Sequence, residues 1–173
     1  MKISLRPARK SDIENYTQLL QKTYQDAYTD EKIGLRSECF SGKVFSSERI
    51  QDYLNSNLTV SDKQKTWLAF LDSSLAGSVT IADTGKECEL RGFYVAPEYQ
   101  GQGIGKQLWK LALNFAKNKD ITIDVYAHAH KTISMYKRWG FEIDSKKGSF
   151  SRHWPEWPGN LEAKCIYMRL KAK

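Results

Sequence analysis

The sequence predicts one α+β domain over residues 1–173, and three observations carry that expectation. Residues 66–71, 75–82 and 88–95 are three successive strand signals joined by short turns, the pattern of an antiparallel meander. At Ala96-Pro97 the texture changes to a glycine-bearing loop followed by a helical apolar period. Strand signals at 121–127 and 164–170 then alternate with a second helical stretch.

The elements follow in order. Residues 2–7 read as a short strand that Pro7 ends or confines to an edge. Ser11 or Asp12 offers an N-cap, and Ile13, Tyr16, Leu19, Leu20, Thr23, Tyr24 and Ala27 follow at helical spacing. Residues 28–44 carry Gly34 and Gly42 and have no clear period. Ser46 or Ser47 opens a short helix to Leu54, with Ile50, Tyr53 and Leu54 as its apolar face. Asp72-Ser73-Ser74 and Thr84-Gly85-Lys86 are the turns of the meander. After the glycine loop, Ile104, Leu108, Leu111, Ala112 and Phe115 share one helix face. A short helix over about 131–139 stops at Gly140, a residue suited to the left-handed turn that ends helices. Residues 141–145 read as a strand, and 148–160 as a loop rich in Trp and Pro.

Composition narrows the function classes. Lys+Arg number 27 against 20 Asp+Glu, a formal charge of +7, which favours an anionic partner without choosing one. The basic residues are scattered rather than gathered into a stripe, so a nucleic-acid partner is not expected. No apolar run approaches the ~20 residues needed to cross a bilayer, and the first residues alternate without a signal-peptide core. Cys39, Cys88 and Cys165 are widely spaced and odd in number, which speaks against a disulfide framework and a metal site. A reduced, cytoplasmic setting is the expectation.

The informative segment is Gln100-Gly101-Gln102-Gly103-Ile104-Gly105, placed between a strand and a helix. There the backbone N–H groups are unpaired, the helix dipole is positive, and glycines let an anion approach without a Cβ in the way. Three cradles compete. A P-loop fails, because Gln100 stands where its first glycine belongs and Gln107 follows Lys106. The dinucleotide fingerprint is weak, because Lys106 or Leu108 takes its last glycine and the preceding strand closes a meander.

The third reading rests on two motifs. Gln100-x-x-Gly103-x-Gly105 after Val95-Ala96-Pro97 resembles motif A of the GNAT family of N-acetyltransferases. Ile133 to Phe141 (ISMYKRWGF) resembles the family's motif B at the right distance, and the element order agrees over residues 2–170. The resemblance implies α/β/α layers around a mixed, mostly antiparallel sheet of about seven strands, splayed at the site. It implies acetyl-CoA as co-substrate, with the pyrophosphate on the backbone of Gln100, Gly101, Gln102, Gly103, Ile104, Gly105 and Lys106. It also implies that Phe93, Tyr94 and Val95 hold the pantetheine arm by backbone groups, and that a backbone N–H near Phe93 or Tyr94 polarises the thioester.

Residue by residue, the resemblance makes Tyr136 the general acid, set against a tyrosine that merely packs. His130 and Arg138 stand where the family places cofactor-facing groups, although the family often has Asn at the first and Lys at the second. Glu89, eleven residues before Gln100, is a candidate base; the alternative is an edge carboxylate paired with Arg91 or Lys86. Trp154 and Trp157 either flank an acceptor or pack on their own domain. The implied activity is acetyl transfer to a primary amine, most simply of a small molecule such as a polyamine, in a monomer or homodimer. The long variable segments bring the PaiA-like polyamine branch to mind. A protein acceptor, or an acyl-CoA-binding module without turnover, is the competing expectation.

Overall fold

The computed structural model describes residues 2–172. The chain runs β1 (Ile3–Pro7), α1 (Ile13–Tyr28), α2 (Gly42–Phe45), α3 (Glu48–Leu58), β2 (Gln64–Leu71), β3 (Ser74–Asp83) and β4 (Cys88–Val95). It continues through α4 (Ile104–Ala116), β5 (Ile121–Tyr126), α5 (His130–Arg138), β6 (Glu142–Ile143), β7 (Ser149–Arg152) and β8 (Ala163–Leu170). All eight strands share one sheet in the order β1-β2-β3-β4-β5-β8-β6, with β7 also on β8. Every pairing is antiparallel except β4 with β5.

Two apolar layers cover the sheet. On one face α1 buries Tyr16, Leu19, Leu20 and Thr23, and α3 buries Ile50, Leu54 and Leu58. They pack with Leu68, Tyr94 and Tyr126 from the strands. On the other face Ile104, Leu108, Trp109 and Ala112 of α4 and Ile133 and Tyr136 of α5 pack on Val79, Ile81, Leu90, Ile123 and Val125. Trp139, just after α5, stacks on Trp109 at 4.9 Å and joins the two helices.

Several expectations are corrected. Asp12 does not cap α1 with its side chain; its carboxylate accepts from the Arg9 N–H at 2.7 Å and from both terminal nitrogens of Arg6. The Arg6 hydrogen bonds hold the Asp12 carboxyl below its ordinary value. Residues 28–44 are built from two single 3₁₀ turns and the short α2. In α3 the stripe runs Ile50, Leu54, Asn57, Leu58, and Tyr53 sits on its shoulder, 45% exposed. In α4 Leu111 and Phe115 are half-buried, while Trp109, which the expected face did not include, is buried.

The sheet has eight strands rather than about seven. The expected strand at 141–145 shrinks to β6, and part of the expected 148–160 loop is β7. The turn Asp144–Gly148 interrupts what would be one edge strand: Gly148 takes φ +75°, and its N–H donates to the Asp144 carbonyl at 3.0 Å. Both pieces pair with β8, so a glycine turn splits one edge into two.

Gly77 sets the distance between β4, β3 and α4. A Cβ there would lie 2.8 Å from the Tyr94 carbonyl oxygen, 3.1 Å from Leu108 and 3.2 Å from Ile104. Gly77→Ala is expected to cost about 1–3 kcal/mol, the usual range for overpacking a tight core. Urea denaturation measures it; an unchanged midpoint would show that α4 does not depend on this close approach.

Candidate active site

The glycine loop is positioned by the end of β4. After Val95 a single 3₁₀ turn, Pro97–Tyr99, leads into Gln100–Gly103 and then α4. Gly101 and Gly103 take φ +77° and +82°, a region that side chains resist, and Gly103 caps α4 without any side-chain hydrogen bond. The first N–H groups of α4 therefore have no intrahelical partner and no capping oxygen. The Gln100 amide donates to the Val95 carbonyl at 3.2 Å and the Gln102 amide to the Glu98 carbonyl at 3.4 Å. Both side chains thus brace the loop instead of reaching outward. A Cβ at Gly101 or Gly103 would meet no atom within 4 Å, so the space above the loop is open. Lys106 stands exposed in the first turn.

Beside the loop the sheet comes apart. β4 pairs with β5 only at Cys88↔Ile121 and Glu89↔Thr122, whereas β4 follows β3 on its other side to Val95. The register with β3 shifts at Thr80/Ile81, where Arg91 is the extra residue of a bulge. The bulge turns Phe93 toward α4 and Tyr94 toward α1. Gly92 makes room for Tyr94, since a Cβ there would lie 2.7 Å from its ring. A Cβ on Gly105 would lie 3.5 Å from Phe93, whose ring is 5.0 Å from Trp139, itself 6.0 Å from Tyr136. The loop, the free end of β4 and α5 therefore meet along one line.

The parting strands open a cleft of about 370 Å³ that touches both apolar layers. Phe93, Ile123, Val125 and Tyr136 line it from the α4/α5 side, and Tyr24, Tyr53, Tyr94, Tyr126 and Trp154 from the α1/α3 side. Tyr136 is 2% exposed, and burial pushes its phenol well above the ordinary value. Glu89 also lines the cleft, and of the two arrangements expected for it the structure shows the ion pair with Arg91, at 3.2 Å, its side chain 42% exposed.

A glycine-capped helix, a strand free on one edge and a buried tyrosine beside both match the two motifs in space. The match is decided by the family model for the GNAT acetyltransferases, which fits residues 16–141. The chain belongs to the GNAT family. It is an N-acetyltransferase by that membership. It is 28% identical over 160 residues to a spermidine N(1)-acetyltransferase of Thermoplasma acidophilum, covering 86% of this chain and 94% of that one. Among solved structures, the PaiA N-acetyltransferase of T. acidophilum in complex with coenzyme A is 23% identical, with TM-score 0.67 and full coverage of both chains. A probable acetyltransferase of Staphylococcus epidermidis reaches TM-score 0.73 at 14% identity, covering 99% of this chain and 100% of that one. These structural likenesses concern the fold.

Members of the GNAT family use acetyl-CoA, and the residues present fit it: an open, N–H-lined helix start for phosphates and an unpaired strand edge for an extended amide chain. His130, Arg138, Ile104 and Trp157 lie apart from the cleft. His130 and Arg138 are exposed at the two ends of α5, without side-chain hydrogen bonds or ion pairs among the described residues. Ile104 is a core residue that can offer only its backbone. The two tryptophans divide: Trp157 is buried and donates to the Cys39 carbonyl at 3.1 Å, while Trp154 forms a wall of the cleft. Glu156 pairs with Arg49, whose guanidinium lies over Trp154 at 5.6 Å.

Sequence reasoning missed Asp124, Tyr126 and Arg152, which the fold brings together in the cleft. Arg152 donates to Asp124 Oδ1 at 2.6 Å and lies 5.3 Å above the Tyr126 ring. One signal was present: Asp124 is the single charge in the apolar run ITIDVY, a costly placement unless the carboxylate is paired or used. No comparable signal marked Arg152.

Gly103→Val tests the loop. Its surface position confines the conformational strain, about 1–2 kcal/mol for a side chain held at left-handed φ. CoA affinity measured by calorimetry is expected to fall at least tenfold with the fold retained. Unchanged affinity in a folded variant would remove the loop from phosphate binding.

Proposed function

We propose that this protein transfers the acetyl group of acetyl-CoA directly to a primary amine of a small molecule, with a polyamine as the leading acceptor, inside a ternary complex. The observation that carries the reading is the cleft itself: Phe93, Ile123, Val125 and Tyr136 of the α4/α5 layer line it together with aromatic side chains of the α1/α3 layer. The polyamine assignment draws on the name of the Thermoplasma relative and on the aromatic lining of the α1/α3 side. Cytoplasmic operation is part of the same proposal; among the described residues no helix is long and apolar enough to cross a membrane.

Bound acetyl-CoA supplies an acyl group activated as a thioester. The backbone of Gln100–Lys106 holds the phosphates, helped by the exposed ammonium of Lys106. The free edge of β4 holds the amide-bearing arm as an added strand, and the backbone N–H of Phe93 draws charge from the acyl oxygen, whereas that of Tyr94 faces Ser78 of β3. An alkyl amine with pKa near ~10.4 is neutral in only about one molecule in a thousand at neutral pH, so the acceptor must shed a proton. Glu89, paired and half in water, receives it through solvent. Tyr136 stays protonated because burial raises its phenol, and it donates a hydrogen bond to the departing sulfur.

The test is thiol release from acetyl-CoA in the presence of spermidine, glucosamine, lysine or a peptide with a free N-terminus. Spermidine is expected to give the highest kcat/KM, and absence of release with every amine would overturn the reading. Tyr136→Phe keeps the ring and removes the donor. Its kcat is expected to fall roughly 10- to 1000-fold with CoA affinity unchanged. The raised phenol places any loss of rate from Tyr136 ionisation above pH 10, so wild-type rates should rise with pH and then level off. A Tyr136→Phe enzyme that turns over like wild type would make Tyr136 structural.

A further inference from the structure

The carboxylate set deepest in the acceptor side of the cleft belongs to neither sequence motif. Asp124 and Tyr126 are alternate residues of β5 and so face the same side, toward α1 and α3. Asp124 is held at one oxygen only: Arg152 donates to Oδ1 at 2.6 Å, and Oδ2 takes no hydrogen bond among the described residues. Arg152 is itself fixed, its guanidinium lying 5.3 Å from the Tyr126 ring and 5.2 Å from the Phe150 ring. The carboxylate is therefore held in one orientation with a free oxygen in the cleft.

A second observation points to a ligand. Tyr126 is 2% exposed, lines the cleft, and its hydroxyl is buried with no hydrogen-bond partner among the described residues. An unpaired buried hydroxyl is costly unless something that enters the site satisfies it. Around the pair stand aromatic rings: Tyr28 is 4.8 Å from Tyr126 and 4.9 Å from Tyr24, and Tyr24 is 5.6 Å from Trp154. Every charge of the cleft has a partner, Arg49 with Glu156, Arg91 with Glu89 and Arg152 with Asp124, so what Asp124 offers is its second oxygen rather than an unmatched charge. A free carboxylate oxygen, a lone hydroxyl and a wall of π faces are together what an alkylammonium ion needs.

We infer that Asp124 and Tyr126 form the binding site for an ammonium group of the acceptor, oriented by Arg152, while Glu89 serves only the proton path. The inference rests on reading the cleft as the acceptor site. Asp124 Oδ2 and the Tyr126 hydroxyl accept N–H hydrogen bonds from the ammonium, and the rings replace part of its hydration. Asp124 is a binding residue here and Arg152 a positioning residue.

Spermidine is the probe, with steady-state kinetics and calorimetry in the presence of CoA. Asp124→Asn is expected to raise the KM and Kd for spermidine about 10- to 100-fold, with CoA affinity unchanged and kcat within about threefold. Tyr126→Phe should raise KM by a smaller factor, and Glu89→Gln should change kcat rather than spermidine affinity. Because Asp124→Asn leaves the Arg152 guanidinium without its partner, Asp124→Asn with Arg152→Gln is the folding control. That double variant should melt as wild type and keep the high KM. A double variant that regains wild-type KM, or an Asp124→Asn enzyme with wild-type spermidine affinity, would overturn the inference. So would preferential binding of lysine through its carboxylate, lost in Arg152→Gln but kept in Asp124→Asn, because the cleft would then be selecting an anion. Wild-type protein that fails to bind CoA or to acetylate any amine would refute the proposed function instead. A wild type that acetylates amines but loses nothing in Asp124→Asn would refute this inference alone.

Discussion

β4 and β5 hold each other at Cys88↔Ile121 and Glu89↔Thr122 and then separate, and the rest of the site depends on that separation. Inside a sheet, unpaired backbone groups cost on the order of 1–3 kcal/mol each when no partner replaces the missing strand. The gap persists because each strand is secured on its other side, β4 by β3 as far as Val95 and β5 by β8 from Ile121 to Tyr126. The parallel direction matters as well. Parallel neighbours are joined by a crossover rather than a tight turn, and here the crossover is α4. The element that links the two strands is therefore the same one whose N-terminus offers unpaired N–H groups to an anion. One topological choice supplies the gap, the extended edge and the helix start.

The local irregularities follow from the same constraint. The bulge at Arg91 changes which face the end of β4 presents, so Phe93 meets Gly105 and Trp139 while Tyr94 meets Tyr24. Without the extra residue, strict alternation would send those two rings to the opposite layers. Gly92 accommodates the Tyr94 ring, and Gly77 lets β4 and α4 close on β3. Three ion pairs then stitch the rim: Arg49 of α3 to Glu156, Arg91 to Glu89 within β4, and Arg152 of β7 to Asp124 of β5. Partly exposed pairs contribute little to stability, so their value lies in fixing side-chain positions around the cleft. The excess positive charge of the chain is left to the surface, where Lys106, Lys110 and Arg138 are exposed.

Legibility in the sequence divides along physical lines. The meander, the glycine loop and α5 were readable because each is set by local chemistry: period-two runs, a glycine at left-handed φ, an apolar helical stripe ended at Gly140. Features set by distant contacts were not. Tyr53 has helical spacing for the core, yet sits on the shoulder of α3 and lends its hydroxyl to the Arg91 carbonyl at 3.4 Å. β7 was hidden because Gly148 breaks the edge strand and the following Trp-Pro composition reads as loop. Arg152 carries no pattern at all; only the pairing of β7 with β8, and of β8 with β5, brings it to Asp124. Glu89 was placed correctly on β4, but its surroundings depended on Arg91 turning toward it across the bulge.

That division also explains why the two halves of the site differ in how they are built. The proposed donor side consists mostly of backbone: N–H groups of a helix start and the free edge of a strand, which the general shape of coenzyme A would satisfy whatever acyl acceptor is used. Backbone sites need only glycine and correct topology, so a short motif is enough to announce them. The proposed acceptor side consists of side chains from α1, α3, β4, β5 and the segment around β7, brought together by tertiary packing. Side chains can change without disturbing the sheet, and under the proposed function such changes would alter which amine is held. Tyr136 belongs to both halves, because it packs in the α4/α5 layer yet lines the cleft where the two meet. On the proposed reading donor and acceptor meet through the gap between two strands, and the sheet keeps them apart elsewhere.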